Sequence, residues 1–277
     1  MWRWGMTALA VMAVCFPSLL AHAGDDDQQS ATQGTYEQPL QEVFQTELVY
    51  PQERGEVQLT FAPQFAAENK RDLLRYSLGI EYGLTDAWQV GLDWDSLVLS
   101  DAPGTKTSGI GDLELETQYS FMNITDFDVH AAFKFGVGFP TGSAKRGLSE
   151  GFMEYEPSVL LAKDFPILSY CQLFTQIGAR FVDRVKDPAE DEEREPAAHE
   201  FFWSSGVFLP TAWGVLSNEL IWATNTWNNK GEEEKLFYTP GVVIPFAGGW
   251  EVGMGVPIGL TKQSDDVRII GHVIYEF

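Results

Sequence analysis

From Gly55 to Phe277 apolar residues recur at every second position, in segments of about ten residues separated by clusters of Gly, Pro, Asn, Asp and Thr. Period two is the signature of a strand whose two faces meet different surroundings. In residues 127–139 one face reads Phe127, Val129, Ala131, Phe133, Phe135, Val137 and Phe139, and the other Asp128, His130, Ala132, Lys134, Gly136 and Gly138. Residues 74–84 oppose Leu74, Tyr76, Leu78, Ile80, Tyr82 and Leu84 to Arg75, Ser77, Gly79, Glu81 and Gly83. Residues 250–260 repeat the pattern with Trp250, Val252, Met254, Val256, Ile258 and Leu260 on one side.

Twelve such segments can be marked: roughly 55–66, 73–84, 87–98, 109–121, 127–139, 151–163, 170–183, 199–209, 213–226, 235–246, 250–260 and 266–277. Short connections alternate with generally longer polar ones, and the count is even. That is the pattern of an all-β, antiparallel transmembrane β-barrel of about 12 strands with periplasmic N- and C-termini. A soluble β-sandwich also alternates, but it does not account for aromatics crowding both ends of the segments. Trp88, Phe121, Phe127, Tyr170, Trp213, Phe246, Trp250 and Phe277 stand at the short-turn ends, and Phe65, Trp94, Phe139, Phe152, Phe181 and Trp227 near the long loops.

Residues 1–23 carry Arg3 near the start, an apolar stretch from about Met6 to Leu20 and Ala-His-Ala at the end, so a cleaved signal peptide is expected there. Cys15 would leave with it, and Cys171, the remaining thiol, is expected to be an inert buried thiol among outward apolar residues. Residues 24–54 form a polar N-terminal segment, and residues 55–277 the outer-membrane barrel. Within that segment Leu40, Val43, Phe44 and Leu48 fall at helical spacing, which predicts a short amphipathic helix on the periplasmic side or in the lumen, with a stray strand as the other reading.

The formal charge of −22 argues against nucleic acid as a partner. If the apolar face meets lipid, the other must point inward, because a Lys or Arg at the bilayer midplane costs roughly 2–4 kcal/mol. The register places Glu81, Asp93, Asp95, Asp112, Glu114, Glu116, Asp128, Glu154, Glu156, Glu219, Glu251 and Glu276 inside, with Arg75, Lys134, Arg180 and Arg268 as the bases and His130 and His272 also inward. Asp93 with Asp95, Glu114 with Glu116, and Glu154 with Glu156 are spaced i to i+2, about 7 Å apart on one face. Each ionised pair repels by about 2.4 kcal/mol at an effective dielectric of 20. Either water fills the interior, or the bases thread between the carboxylates, or some acids hold a proton. No triad motif or metal-ligand spacing is visible, so no enzyme activity, cofactor or metal is expected.

The final stretch VRIIGHVIYEF, with Tyr275 and Phe277 on its apolar face, resembles the last strand of bacterial outer-membrane proteins. That resemblance implies Gram-negative outer-membrane localisation, contact with lipid and lipopolysaccharide, and reading by the barrel-assembly machinery. Residues 108–121, SGIGDLELETQYSF, resemble the Gly-x-Gly-Asp strand opening of the outer-membrane transporter family associated with the MetA pathway of phenol degradation, on Gly109, Gly111 and Asp112. This implies passage of small, often aromatic or hydrophobic compounds. The functional expectation is therefore a porin-like channel or transporter for small solutes, against a structural or surface-interaction barrel with a closed, charge-networked lumen.

Overall fold

The computed structural model describes residues 40, 42–67, 72–102, 105–166, 171–185, 199–225, 234–264 and 267–277. Its strands are β1 (Val57–Ala67), β2 (Asp72–Thr85), β3 (Trp88–Ala102), β4 (Thr105–Gly109), β5 (Leu113–Thr125), β6 (Val129–Phe139) and β7 (Phe152–Phe165). They continue as β8 (Cys171–Arg184), β9 (Glu200–Thr211), β10 (Gly214–Thr224), β11 (Glu234–Phe246), β12 (Trp250–Gly255), β13 (Ile258–Gly259) and β14 (Val267–Glu276). All pairings are antiparallel, and β1 closes on β14 from Gln58 opposite Glu276 to Ala67 opposite Val267. Val57 and Phe277 complete the seam by exchanging two backbone hydrogen bonds of 3.0 Å. β4 and β5 make one crossing broken at residues 110–112, and β12 and β13 another broken at 256–257, so the described residues form a closed barrel of twelve crossings.

The distribution of side chains is inverted relative to a soluble sheet protein. Leu78, Ile80, Phe133, Phe135, Leu173 and Ile177 are exposed on the outer face, while Gln58, Gln118, His130, Asp164, Gln172, Gln176 and Glu219 are buried inside. A sandwich in water would bury the first set, since a continuous exposed apolar belt of this size is excluded from soluble monomers. The period-two pattern therefore reports a hydrocarbon exterior. Trp88, Phe121, Phe127, Trp213, Phe246, Trp250 and Phe277 are all exposed around the short-turn end, and the terminal aromatics pack as Trp250 on Tyr275 at 4.6 Å and Tyr275 on Phe277 at 5.6 Å. The tight turn at 247–249 needs two glycines at positive φ, Gly248 at 84° and Gly249 at 76°. A Cβ on Gly249 would lie 2.5 Å from the Glu276 carbonyl oxygen.

Three expectations are corrected, and one, the burial of Cys171, is met. Phe127 and Asp128 lie in the turn before β6, with Asp128 at φ +53°, because the chain must reverse there. Phe152 faces inward beneath the Arg184 guanidinium, 4.3 Å from its ring centre, and belongs to no girdle. Cys171 keeps the expected outward parity and is buried, opposite Phe165. None of the described residues between 40 and 56 is helical or in a strand. Tyr170, Trp227 and the signal and leading polar segment up to residue 39 lie outside the described residues.

Residues 40 and 42–53 form an irregular strap that enters the lumen from the short-turn end. Helical spacing misled because the apolar residues serve a surrounding wall rather than one flank. Leu40, Val43, Leu48 and Val49 join a single buried cluster with Ala132, Leu160, Ala162, Phe174, Phe208, Val215 and Val243, drawn from six strands around the barrel.

Candidate functional site

The lumen has two halves of different chemistry. From the long-loop half down to the level of the strap, the acids on β3, β5 and β7 sit beside cross-strand glycines. Glu116 lies opposite Gly91 and Gly136, Glu114 and Glu154 opposite Gly138, and Asp93 opposite Gly79. A Cβ on Gly136 would meet the Glu114 carboxylate at 2.4 Å and one on Gly91 would meet Glu116 at 2.7 Å. The missing side chains are what let each carboxylate lie against the wall.

Of the three ways to accommodate neighbouring acids, threading of bases is recorded directly in the side-chain geometry. Arg180 reaches Glu156 at 2.8 Å, Glu154 at 3.4 Å and Glu200 at 3.4 Å. Arg75 pairs with Asp95 at 3.1 Å, and Lys134 bridges Glu116 at 2.5 Å and Glu47 of the strap at 2.8 Å. Arg268 instead lies over the Phe237 ring at 4.9 Å. Water reaches the upper pairs, with side-chain exposures of 40% for Arg180 and 35% for Glu154, whereas Lys134 and Glu116 are nearly enclosed.

In the short-turn half the expected lumen-lining residues face the strap instead of water. Glu219 accepts hydrogen bonds from the backbone N–H groups of Phe44 and Gln45, each at 3.0 Å. Gln176 accepts from the Glu47 N–H at 3.2 Å, and Gln89 accepts from the Gln52 N–H at 2.7 Å. Gln118 donates to the carbonyls of Leu48 and Val49, and the Ser120 hydroxyl to Val49 at 2.6 Å. Glu81 accepts from the Gln52 side chain at 3.1 Å. The Phe44 ring stacks on His272, 5.0 Å between centres and 8° from parallel. It fills a slot that exists because Gly241 and Gly255 carry no side chain; a Cβ there would lie 2.1 Å and 2.5 Å from the ring.

The strap is pinned lower down by a fully buried polar group. Tyr50 Oη donates to Asp164, Gln172 Nε2 donates to Asp164 at 2.5 Å, and His130 Nε2 lies 2.7 Å from Asp164 Oδ2. The Asn123 N–H donates to His130 Nδ1 at 3.0 Å, so Nδ1 is an acceptor and Nε2 carries the proton facing Asp164. One carboxylate thus collects three donors in a site that no water reaches. At the strap's other end, Glu42 accepts from Gln58 and Thr60. Burial, reinforced by the charges of Glu47, Asp93 and Glu116 and opposed by the Thr60 hydrogen bond, pushes its carboxyl up to about 8.

The Gly-x-Gly-Asp stretch is a clasp between loops. The Gly111 N–H donates to the Asp95 carbonyl and the Asp95 N–H to the Asp112 carbonyl, carrying the ladder across the β4–β5 break. The Asp112 carboxylate accepts from the Gly142 N–H at 3.0 Å and the Thr141 hydroxyl donates to the Gly111 carbonyl at 2.8 Å, tying down the 140–151 loop. Burial holds the Asp112 carboxyl above its ordinary range, against the hydrogen bonds from Gly142 and Ser149. Asp112 is thus a loop-holding residue in a connection and not part of a luminal strand.

Arg75, Asp93, Asp95, Glu114, Glu154, Glu156 and Arg180 line the long-loop half together, while Glu81, Glu116, His130, Lys134, Glu219 and His272 are gathered around the strap. Glu200, Asp164, Tyr50, Gln172, Glu42 and Glu47 are additions that sequence reasoning missed. Their one local signal is inward parity on β7, β8 and β9, which marks Asp164, Gln172 and Glu200 once those strands are placed in register.

No family model matches the chain, and no curated protein matches it either. Solved structures do. An outer membrane channel from Pseudomonas putida F1 superposes with a TM-score of 0.63 at 12% identity, covering 83% of this chain and 98% of that one. The NanC porin gives 0.54 at 9% identity over 79% and 98%, and the KdgM porin in complex with disordered oligogalacturonate gives 0.53 at 8% over 79% and 99%. At these identities the likeness is one of fold, and it is the fold of outer-membrane β-barrels.

Proposed function

We propose that the chain is a Gram-negative outer-membrane channel for small solutes, entered from the long-loop end and favouring cations or neutral molecules over anions. The observation that carries this reading is the hydrated half of the lumen, where the carboxylates of Asp93, Asp95, Glu114, Glu154, Glu156 and Glu200 outnumber the guanidiniums of Arg75 and Arg180. A path lined by excess fixed charge of one sign concentrates the opposite ion. The apolar outer belt and the likeness in fold to channels and porins support the outer membrane as its place, with Val57 and Phe277, where the ring of strands begins and ends, on the periplasmic side. Lipid and lipopolysaccharide would then surround it, and the final Tyr275 and Phe277 would serve the assembly machinery. The finer reading, passage of aromatic or hydrophobic compounds, draws only on Gly109, Gly111 and Asp112, whose work here is to join loops.

A closed structural barrel is the second reading, favoured by the strap that fills the short-turn half. Planar-bilayer recording of refolded protein separates the two. A channel gives current with a reversal potential on the cation side in a salt gradient, and Glu114→Gln with Glu154→Gln moves that potential toward zero by several millivolts. Silence at every voltage, together with no solute flux into liposomes, removes the channel.

A further inference from the structure

We propose that residues 40 and 42–53 form a releasable plug, an autoinhibitory strap that shuts the short-turn half of the lumen when seated and clears it when withdrawn. The proposal rests on the channel reading for its consequence, though not for its geometry. Three observations support it.

First, the barrel wall is complete without the strap. Each crossing pairs with two neighbours, and the β1–β14 seam closes through strand residues and the Val57–Phe277 exchange alone. Withdrawal therefore breaks no ladder hydrogen bond.

Second, the strap is bound as a ligand is bound. Wall side chains of Glu219, Gln176, Gln118, Ser120 and Gln89 meet its backbone groups, and a ring slot formed by absent side chains takes Phe44. Water can replace side-chain partners of this kind one by one, which it cannot do for a buried sheet ladder. The strap runs out through Glu53 and Arg54 to Gly55 at φ +88°, whose N–H is bonded to the Gly83 carbonyl, so the segment above it has a fixed tether and a conformationally free pivot.

Third, the seat opposes its occupant. Glu42 and Glu47 of the strap enter a wall that already carries Glu81, Asp93 and Glu116, and Lys134 is the base bridging Glu47 to Glu116. Apolar anchoring at Leu40, Val43, Phe44 and Leu48 holds the strap against that repulsion. Like charges set against apolar anchoring are what a shift of population toward release would draw on, and the hydrated vestibule adjoins the seat.

The test uses the full chain in liposomes and planar bilayers with a reporter thiol, introduced as Thr46→Cys at a buried strap position. The parent chain, whose Cys171 is buried, serves as the blank. Two independent changes loosen the seat: Phe44→Ala removes the anchor ring, and Gly241→Ala places a methyl group where that ring lies. Both are expected to raise the rate at which a membrane-impermeant thiosulfonate modifies the reporter thiol by about tenfold or more, since truncating or displacing a packed ring costs well over one decade of equilibrium. Conductance should rise in parallel. If both variants keep heat-modifiable barrel mobility and the rate does not change, the strap is permanent core and the proposal fails. Faster labelling without any current keeps the releasable strap and removes the channel reading. A rise in current without faster labelling overturns the plug.

Discussion

The two halves of the lumen are built on the same strands with the same alternation, yet they behave as different materials. Toward the long loops, Glu154, Glu156 and Glu200 share Arg180 and stay in contact with water. Toward the short turns, Asp164, His130 and Gln172 are sealed beneath Tyr50 at zero exposure, and Glu219 is spent on the strap backbone. Inward parity therefore decides only that a residue leaves the lipid. Whether it then meets water or protein depends on what else enters the barrel.

The contrast can be attacked at its most buried point. Asp164→Ala strands the His130, Tyr50 and Gln172 donors without an acceptor and is expected to cost about 3–5 kcal/mol, read as a lower urea midpoint in detergent or bilayers. A loss below about 1 kcal/mol would show that this half is as wet as the other.

A smaller effect should come from pH. In a released strap Glu42 titrates at its ordinary 4.5, whereas in the seat it is pushed up to about 8, first by burial. Between these values the seated state holds the extra proton. Seating is therefore fully favoured below about pH 4.5 and weakens as pH rises through about 8. Of the groups facing Glu42, the acids Glu81 on β2, Asp93 on β3, Glu116 on β5 and Glu47 on the strap itself strengthen the effect, and the hydrogen bonds donated by Gln58 and Thr60 on β1 work against it. Modification of the thiol introduced by Thr46→Cys, expressed relative to a free thiol at the same pH, should be faster at alkaline than at acid pH, and Glu42→Gln should flatten the profile.

The smallest expected change lies outside both halves. Lys106 and Asp101 pair at 2.5 Å on the exposed β3–β4 hairpin, with side-chain exposures of 80% and 51%. Asp101→Ala should shift stability by less than about 0.5 kcal/mol, since solvent screens the pair. A larger shift would mean that the hairpin above the membrane is coupled to the barrel.

Legibility followed sequence distance. Pairs such as Glu114 with Glu116 announce themselves two positions apart, and Arg75, Lys134 and Arg180 could be read as their threading partners from parity alone. The partners of Tyr50, which are Asp164 and Gln172, lie 114 and 122 residues away, and no local pattern can signal a carboxylate that collects donors across the barrel. The strap was misread for the same reason. Leu40, Val43 and Leu48 repeat at helical spacing, but their N–H and C=O neighbours bond to Glu219, Gln176 and Gln118 on separate strands, so the helix has no backbone donors left to close its turns.

By itself the sequence determined which face of each strand meets hydrocarbon, because a two-residue period leaves a strand no other way to separate Leu78 and Ile80 from Arg75 and Glu81. It determined the number of crossings for the same reason. Which inward groups stay hydrated is settled by the folded barrel alone. That outcome depends on closing a ring of strands around residues 40 and 42–53, and closure brings together side chains whose separation along the chain carries no periodic trace.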